Sequence, residues 1–393
     1  MLRKLIGRLP KMSIGASNFK GRRLTHAREA RGITQTSLAD MINISRAAIY
    51  QYEKGQRSPS SDILKKIANT LNFPMHFFLR DIRIRESKPV FFRSMSASTK
   101  IARLRAKCRY EWLLDIVGYL REFVTLPKVN FPRYEYIPAS IASISDEDIE
   151  DVANRTRSHW GIGLGPLSNV TWLLENNGAI VARQKLDAKT LDAFSNWSDD
   201  DIPTPYFILG IEKMSAVRSR FDAAHELGHM ILHHHVDDNK LRNPTTFNLI
   251  EYQANYFASA FLLPEKTFSQ EVFYAPNLEM LVALKSKWRV SIAAMVKRLR
   301  HLRLISRERE QRLFINISRR HWRTKEPLDD ELEIEKPRVL QKVFDVLSNK
   351  NIINKQSLTI NLGLHIEDIE RAIGMPDYFS NAGIKTIKFT RRV

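Results

Sequence analysis

The sequence contains a single cysteine, Cys108, among 393 residues. One thiol excludes a disulfide framework and any zinc knuckle built from cysteines, and it favours a reducing compartment. No apolar run approaches the roughly 18–20 residues needed to span a bilayer. The apolar stretch in residues 1–17 is too short and broken for a signal peptide. These absences predict a cytoplasmic protein with no membrane partner.

Positive charge is distributed very unevenly along the chain. The whole sequence has 62 Lys and Arg against 43 Asp and Glu, a net charge of +19. Residues 1–110 hold 24 basic and 6 acidic residues, whereas the remainder is nearly balanced at 38 and 37. A local excess of this size favours a polyanion partner, and double-stranded DNA is the expected one. The alternative is a basic surface that only keeps the protein soluble.

Four short helices are predicted in this basic region. Apolar residues recur at helical spacing over residues 19–31, 35–42 and 46–54, and Pro59 opens a fourth helix. Thr34 and Ser45 are side chains that cap helix N-termini, while Gly32 and Gly55 stop helices. Short helices joined by a tight turn predict a helix-turn-helix domain, whose third helix enters the DNA major groove.

The outward side chains of the third helix are the candidate base-reading residues. They are Arg46, Ala47, Tyr50 and Gln51. Arg can bond twice to guanine, Gln can bond twice to adenine, and Ala can touch a thymine methyl group. Ser45 caps the same helix, and Gln35 at the start of the second helix is expected to hold a backbone phosphate. The alternative is a small helical bundle with an ordinary polar face.

The segment REARGITQTSLADMINISRAAIYQYEKGQRSPSSDILKKIANTLN resembles the lambda-repressor-like (XRE/Cro) family. The resemblance covers about residues 19–80 and implies a five-helix domain that binds an operator, usually as a homodimer. Matched residue by residue, it places the base-reading positions on Arg46, Ala47 and Gln51, and the phosphate-binding Gln on Gln35. Ala47 departs from the polar residue often found there, which leaves the base read at that point open.

The next segment, residues 81–132, reads as a basic linker with a helix over residues 98–125. Two interpretations remain open for that helix. Its Lys and Arg residues could extend the DNA footprint, or its apolar stripe could dock on the domain that follows. The stripe favours docking.

A metal-ligand motif stands in the central part of the chain. His225 and His229 are four residues apart, so on a helix their imidazoles project from one face. Glu251 follows 22 residues after His229 and begins a second helical pattern. Two His and one carboxylate are a common zinc set, and Glu226 then stands beside the ion as a free general base. Asn255, four residues after Glu251, is expected to orient a ligand from behind.

Several alternatives to this reading remain. The motif helix could be purely structural, with exposed histidines. His235 lies where some peptidases place a third His, but Leu232 replaces the glycine that such a turn needs, so Glu251 is the preferred ligand. His233 is interpreted as a core residue or a wall of the cleft. The same donor set could also hold Mn²⁺ or Fe²⁺ instead of Zn²⁺.

Four segments of this region resemble the ImmA/IrrE metallopeptidase family: GPLSNVTWLLENNGAIV, LDAFSNW, RSRFDAAHELGHMILHH and EYQANYFASAFLLPE. The resemblance spans roughly residues 135–325. It implies a zincin-like fold, dependence on Zn²⁺, and cleavage of a DNA-binding repressor that switches genes on. It also implies His225, His229 and Glu251 as ligands and Glu226 as the general base.

We therefore expect a mainly α protein with a small sheet (α+β), built from an all-α helix-turn-helix domain, a zincin-like peptidase domain and a helical C-terminal region. The expected segments are a basic tail (1–17), the DNA-binding domain (18–80), the linker (81–132), the peptidase domain (133–325) and a C-terminal contact module (326–393). The expected function is a DNA-binding transcriptional regulator fused to a zinc endopeptidase that cuts a helix-turn-helix repressor. One rival is a non-catalytic, antitoxin-like regulator whose metal site is structural or sensory. Another is a protein that cleaves itself within the linker.

Overall fold

The computed structural model of the protein describes residues 18–81, 99–138, 140–186, 192–212, 215–234, 236, 243–272 and 276–381. The basic tail (1–17), residues 82–98 of the linker and His235 lie outside the described residues. The expected fold class is confirmed: helices dominate, with one small sheet. No helix in the described ranges is both long enough and apolar enough to cross a membrane.

The N-terminal domain is a helical bundle with the predicted helix-turn-helix. Its helices are α1 (Gly21–Arg31), α2 (Gln35–Ile42), α3 (Arg46–Glu53) and α4 (Ser61–Leu71). Thr34 and Ser45 cap α2 and α3 as predicted, each through its side-chain oxygen. The turn between α2 and α3 passes through Asn43, whose φ of 56° is one that Asn tolerates well. A short 3₁₀ helix, Met75–Leu79, stands where the family resemblance implied a fifth helix.

The linker helix α5 (Lys100–Leu120) lies between the two halves of the molecule. On one side it packs along α1, where Arg105 Nη2 donates to Arg31 O at 3.3 Å. On the other side Tyr110 meets Phe194 and Tyr206 of the sheet edge-on, with ring centroids 6.1 and 5.7 Å apart. The helix therefore docks on both neighbours, as its apolar stripe indicated.

The sheet has three strands: β1 (Ile180–Gln184), β2 (Ala193–Trp197) and β3 (Pro205–Gly210). Their order is β1-β3-β2, with β1 parallel and β2 antiparallel to the central β3. Because side chains alternate along a strand, one face packs with α5 and the N-terminal domain while the other packs with helices of the central region. β1 and β3 overlap the continuous apolar runs 179–182 and 206–209, which are typical of buried strands, whereas β2 has no such run.

The remaining helices surround this sheet. The central region contains α6 (Asp146–His159), α7 (Val170–Asn176), α8 (Ala216–Leu232), α9 (Pro244–Leu262), α10 (Glu265–Phe268), α11 (Leu278–Trp288), α12 (Ile292–His301) and α13 (Arg307–Arg319). The C-terminal region contains α14 (Val339–Asn349), α15 (Lys355–Leu362), α16 (Ile366–Ile373) and α17 (Tyr378–Asn381). Two of these helices, α8 and α9, pack closely and carry the predicted metal ligands.

The C-terminal helices pack on the N-terminal domain, 337 residues away in sequence. Arg31 donates to both carboxylate oxygens of Asp368, at 2.8 and 2.6 Å, and Asp368 is buried. The same helix, α16, reaches β1, where Gln184 Nε2 donates to Ala372 O at 2.6 Å. α16 thus bridges the DNA-binding domain and the sheet of the central domain.

Candidate metal centre and DNA-facing surface

The motif helix α8 approaches α9 closely because residue 228 has no side chain. A Cβ atom at Gly228 would come within 3.1 Å of Phe257 Cδ1 and 3.3 Å of Ala254 Cα. Most Cβ contacts in proteins are longer than this, so a larger residue would push the two helices apart. Gly228 therefore sets the separation at which side chains of α8 and α9 can share one ligand.

Three predicted ligands converge at this helix pair. His225 Nε2 lies 2.9 Å from His229 Nε2. The carboxylate of Glu251, on α9, lies 3.6 Å from His225 Nε2 and 3.4 Å from His229 Nε2. A metal ion needs at least three His, Cys, Asp or Glu side chains close together. Among the described residues, His225, His229 and Glu251 are the one group that meets this condition.

The chemistry of this group fits a divalent cation. Zinc–nitrogen bonds are about 2.0–2.1 Å, so two donors on one tetrahedral ion lie about 3.3 Å apart. The three separations, 2.9, 3.4 and 3.6 Å, bracket that value. Burial lowers the pKa of His229 to about 3. Burial and then His229 lower the pKa of His225 to about 4. Both rings are therefore neutral at pH 7, which is the form that binds metal.

Glu226 lies outside this group of three residues and is held by the sheet. Ser195 Oγ, on β2, donates to Glu226 Oε2 at 2.7 Å, and both side chains are buried. Burial raises the pKa of the Glu226 carboxyl to about 8, and the Ser195 hydrogen bond opposes that rise. A divalent cation beside it would act in the same direction as Ser195. Glu226 thus carries a buried carboxyl group whose pKa is raised from its ordinary value into the range near neutral pH.

Polar partners lie behind both imidazoles. Asn255 Nδ2 donates to Glu251 O at 2.8 Å, so its Oδ1 is left to accept from His225 Nδ1 at 3.2 Å. On the other ligand, His229 Nδ1 lies 3.1 Å from His233 Nδ1. His233 is completely buried rather than part of the cleft wall.

Sequence reasoning missed three side chains at this centre. Ser195 lies in the segment LDAFSNW, which carried part of the family resemblance, yet its strand was not predicted. Gln253 lies two residues after Glu251 and contacts His233. The role of His233 was left as packing. No spacing signal identifies these contacts, because each depends on how separate elements meet in space.

A cavity of about 540 Å³ opens beside the ligands. Asp222 and Asn255, each one helical turn from a predicted ligand, are among the residues that line it. Phe221, Ala294 and Phe314 give it an apolar wall, and Lys297 also lines it. The cavity is large enough for one or more peptide side chains.

The candidate DNA-binding residues lie together on one surface of the N-terminal domain. Ser45, Arg46, Ala47, Tyr50 and Gln51 are all exposed. Gln35 is half-buried, and its Nε2 donates to Glu53 Oε2 at 2.7 Å. The base-reading side of α3 is therefore open to a ligand, and the contacts with bases and phosphates stay a prediction.

Two parts of the chain match known protein families. Residues 175–300 match the family described as the IrrE N-terminal-like domain, which belongs to the M78 peptidases. Residues 24–78 match the helix-turn-helix family.

Relatives of the N-terminal domain are transcriptional regulators by name. The chain is 36% identical over 59 residues to the HTH-type transcriptional regulator ImmR of Bacillus subtilis. The matched stretch is 15% of this chain and 46% of that protein. It is 42% identical over 55 residues to a Methanocaldococcus jannaschii protein named as an HTH-type transcriptional regulatory protein, covering 14% of this chain and 17% of that protein. The chain thus spans less than half the length of either relative.

Proposed function

Because the chain joins a helix-turn-helix domain to an IrrE-like domain of the M78 peptidase family, we propose that it is a DNA-binding regulator that hydrolyses peptide bonds with the help of a zinc ion. The observation that carries the proposal is the convergence of His225, His229 and Glu251 beside the buried carboxyl of Glu226. Three protein ligands leave a fourth position open, as a catalytic zinc site requires and a structural one does not.

Each residue then has a distinct task. When bound, zinc would acidify a water molecule and polarise the scissile carbonyl. Ser195 holds Glu226 Oε2, which leaves Oε1 to take a proton from water and return it to the leaving amine. The cavity beside Asn255 would hold the substrate side chains near the cleaved bond.

The N-terminal domain would bring this activity to an operator. Arg46, Ala47, Tyr50 and Gln51 would contact base edges, while Gln35 and the N-terminus of α2 would contact phosphate. The substrate we propose is a helix-turn-helix repressor, as the resemblance of the central region to the ImmA/IrrE family implies. Cleavage of such a repressor would release the genes that it silences.

A comparison of wild-type protein with Glu226→Gln tests the proposal. Each purified protein is incubated with Zn²⁺ and a cognate helix-turn-helix repressor, and fragments are identified by mass spectrometry. We expect fragments from the wild type and none from Glu226→Gln, with equal zinc content in both. Fragments from both proteins would contradict the role of Glu226. Zinc without fragments in either protein would favour the rival function, a non-catalytic regulator with a structural or sensory metal site.

A further inference from the structure

A buried hydrogen-bonded chain extends from the ligand His229 to the backbone before α6. His229 Nδ1 lies 3.1 Å from His233 Nδ1, and His233 Nε2 lies 3.0 Å from Gln253 Oε1. Gln253 Nε2 donates to Ile141 O at 2.8 Å and to Ile144 O at 3.4 Å. His229, His233 and Gln253 are all at most 2% exposed.

The backbone end of this chain fixes the orientation of the Gln253 amide. The Gln253 nitrogen can only donate, and two carbonyl oxygens accept from it, so the amide oxygen is the atom that faces His233. His233 Nε2–H therefore donates to that oxygen. A His229 ring that offers its Nε2 lone pair to a metal carries its proton on Nδ1. His233 Nδ1 lies 3.1 Å from His229 Nδ1, where it can accept a hydrogen bond from that proton.

We propose that His233 and Gln253 are positioning residues, which hold the His229 ring by its Nδ1 so that its Nε2 faces His225 and Glu251. The inference deepens the proposed zinc site, and its metal-binding consequence depends on that site. Asn255 does the same for His225 through one contact, so each imidazole ligand has its own amide-anchored partner. Such partners orient ligand rings, and losing one typically weakens metal binding by about 10- to 100-fold.

Zinc affinity, measured by competition with a chelator on the full-length protein, tests the consequence. His233→Phe fills the space but cannot accept a hydrogen bond, so we expect about 10- to 100-fold weaker binding. His233→Asn restores an acceptor near the position of Nδ1 and should recover most of that loss. Ser259→Ala is the matched control, because this buried hydroxyl on α9 bonds only within its own helix, to Tyr256 O. Equal losses in the Phe and Asn variants would overturn the assignment.

A crystal structure of the metal-free protein tests the positioning itself, whether or not zinc binds. In the wild type, we expect His229 Nδ1 within hydrogen-bond distance of His233 and His229 Nε2 directed at His225 and Glu251. In His233→Phe, we expect the His229 ring to rotate away from that orientation or to occupy more than one orientation. A single, unchanged orientation in His233→Phe would refute the inference. A wild-type ring held as expected in a protein with no affinity for zinc would instead refute the proposed function and leave the positioning role standing.

Discussion

Removing the Arg31 guanidinium should loosen the contact between α1 and α16. Arg31 is the main partner of Asp368, whose side chain is 2% exposed, while Arg31 is 19% exposed. Arg31 also donates to Leu71 O and Asn72 O at 2.8 Å each. In Arg31→Met, Arg371 at 3.5 Å is the one ion-pair partner that the Asp368 carboxylate keeps among the described residues.

The size of this effect follows from the burial of the two partners. Removing one member of a buried ion pair costs about 3–5 kcal/mol because the remaining charge has lost its compensation. Since Arg31 is partly exposed, we expect a cost at the lower end of that range, about 3 kcal/mol. Replacing both groups, in Arg31→Met/Asp368→Leu, removes the stranded charge and should cost much less. The double-mutant cycle should therefore show a coupling of about 2 kcal/mol.

Hydrogen exchange followed by mass spectrometry measures the free energy of local opening helix by helix, which suits a protein of several domains. An opening that becomes easier by 3 kcal/mol speeds exchange by about 100-fold, since about 1.4 kcal/mol is a factor of ten. We expect that acceleration in α16 and α1 of Arg31→Met and only a small part of it in the double variant. Additive effects of the two substitutions would refute the argument.

Three further predictions follow from single residues. Glu111 lies 3.3 Å from His26 Nε2, yet burial lowers the pKa of His26 from 6.5 to about 3. Between about pH 3 and pH 6.5, the His26 imidazole is therefore protonated in the unfolded chain but not in the folded protein. Stability should fall by about 1.4 kcal/mol per pH unit below pH 6.5, and urea titrations of His26→Gln should lack that slope; an unchanged slope would exclude this source. Ser195→Ala should lower kcat about tenfold while zinc content is kept, and an unaltered kcat would show that the hydroxyl is dispensable. Gly374→Ala should lower the thermal midpoint by several degrees and the free energy of unfolding by about 2 kcal/mol or more. The reason is that φ at this position is +73° and a Cβ atom would lie 2.7 Å from Arg183 N. An Ala variant as stable as the wild type would contradict the close packing of α16 on β1.

Local signals in the sequence were sufficient for much of the fold. The caps Thr34 and Ser45 gave the starts of α2 and α3 to the residue, because a capping side chain bonds its own helix. The four-residue spacing of His225 and His229 placed both on one face for the same local reason. The continuous apolar run of β3 marked it as a buried strand.

Contacts between distant segments were not available from the sequence. Strand β2 is short and carries polar Ser195 and Asn196, so its pattern does not distinguish it from a loop. His233 resembles any histidine near a helix end until α9 brings Gln253 against it. The contact of α16 with α1 includes an ion pair between residues 31 and 368, which are far apart in the sequence. Each of these features is defined by a partner that only the folded chain supplies.

Metal analysis of the purified protein tests the central claim most directly. We expect about one zinc ion per chain in the wild type and in Glu226→Gln, because Glu226 lies outside the proposed ligand set. We expect almost none in His229→Ala and Glu251→Ala, each of which removes one of the three proposed ligands. A wild type that binds no divalent metal, or one whose metal content is unchanged by both ligand substitutions, would contradict the account.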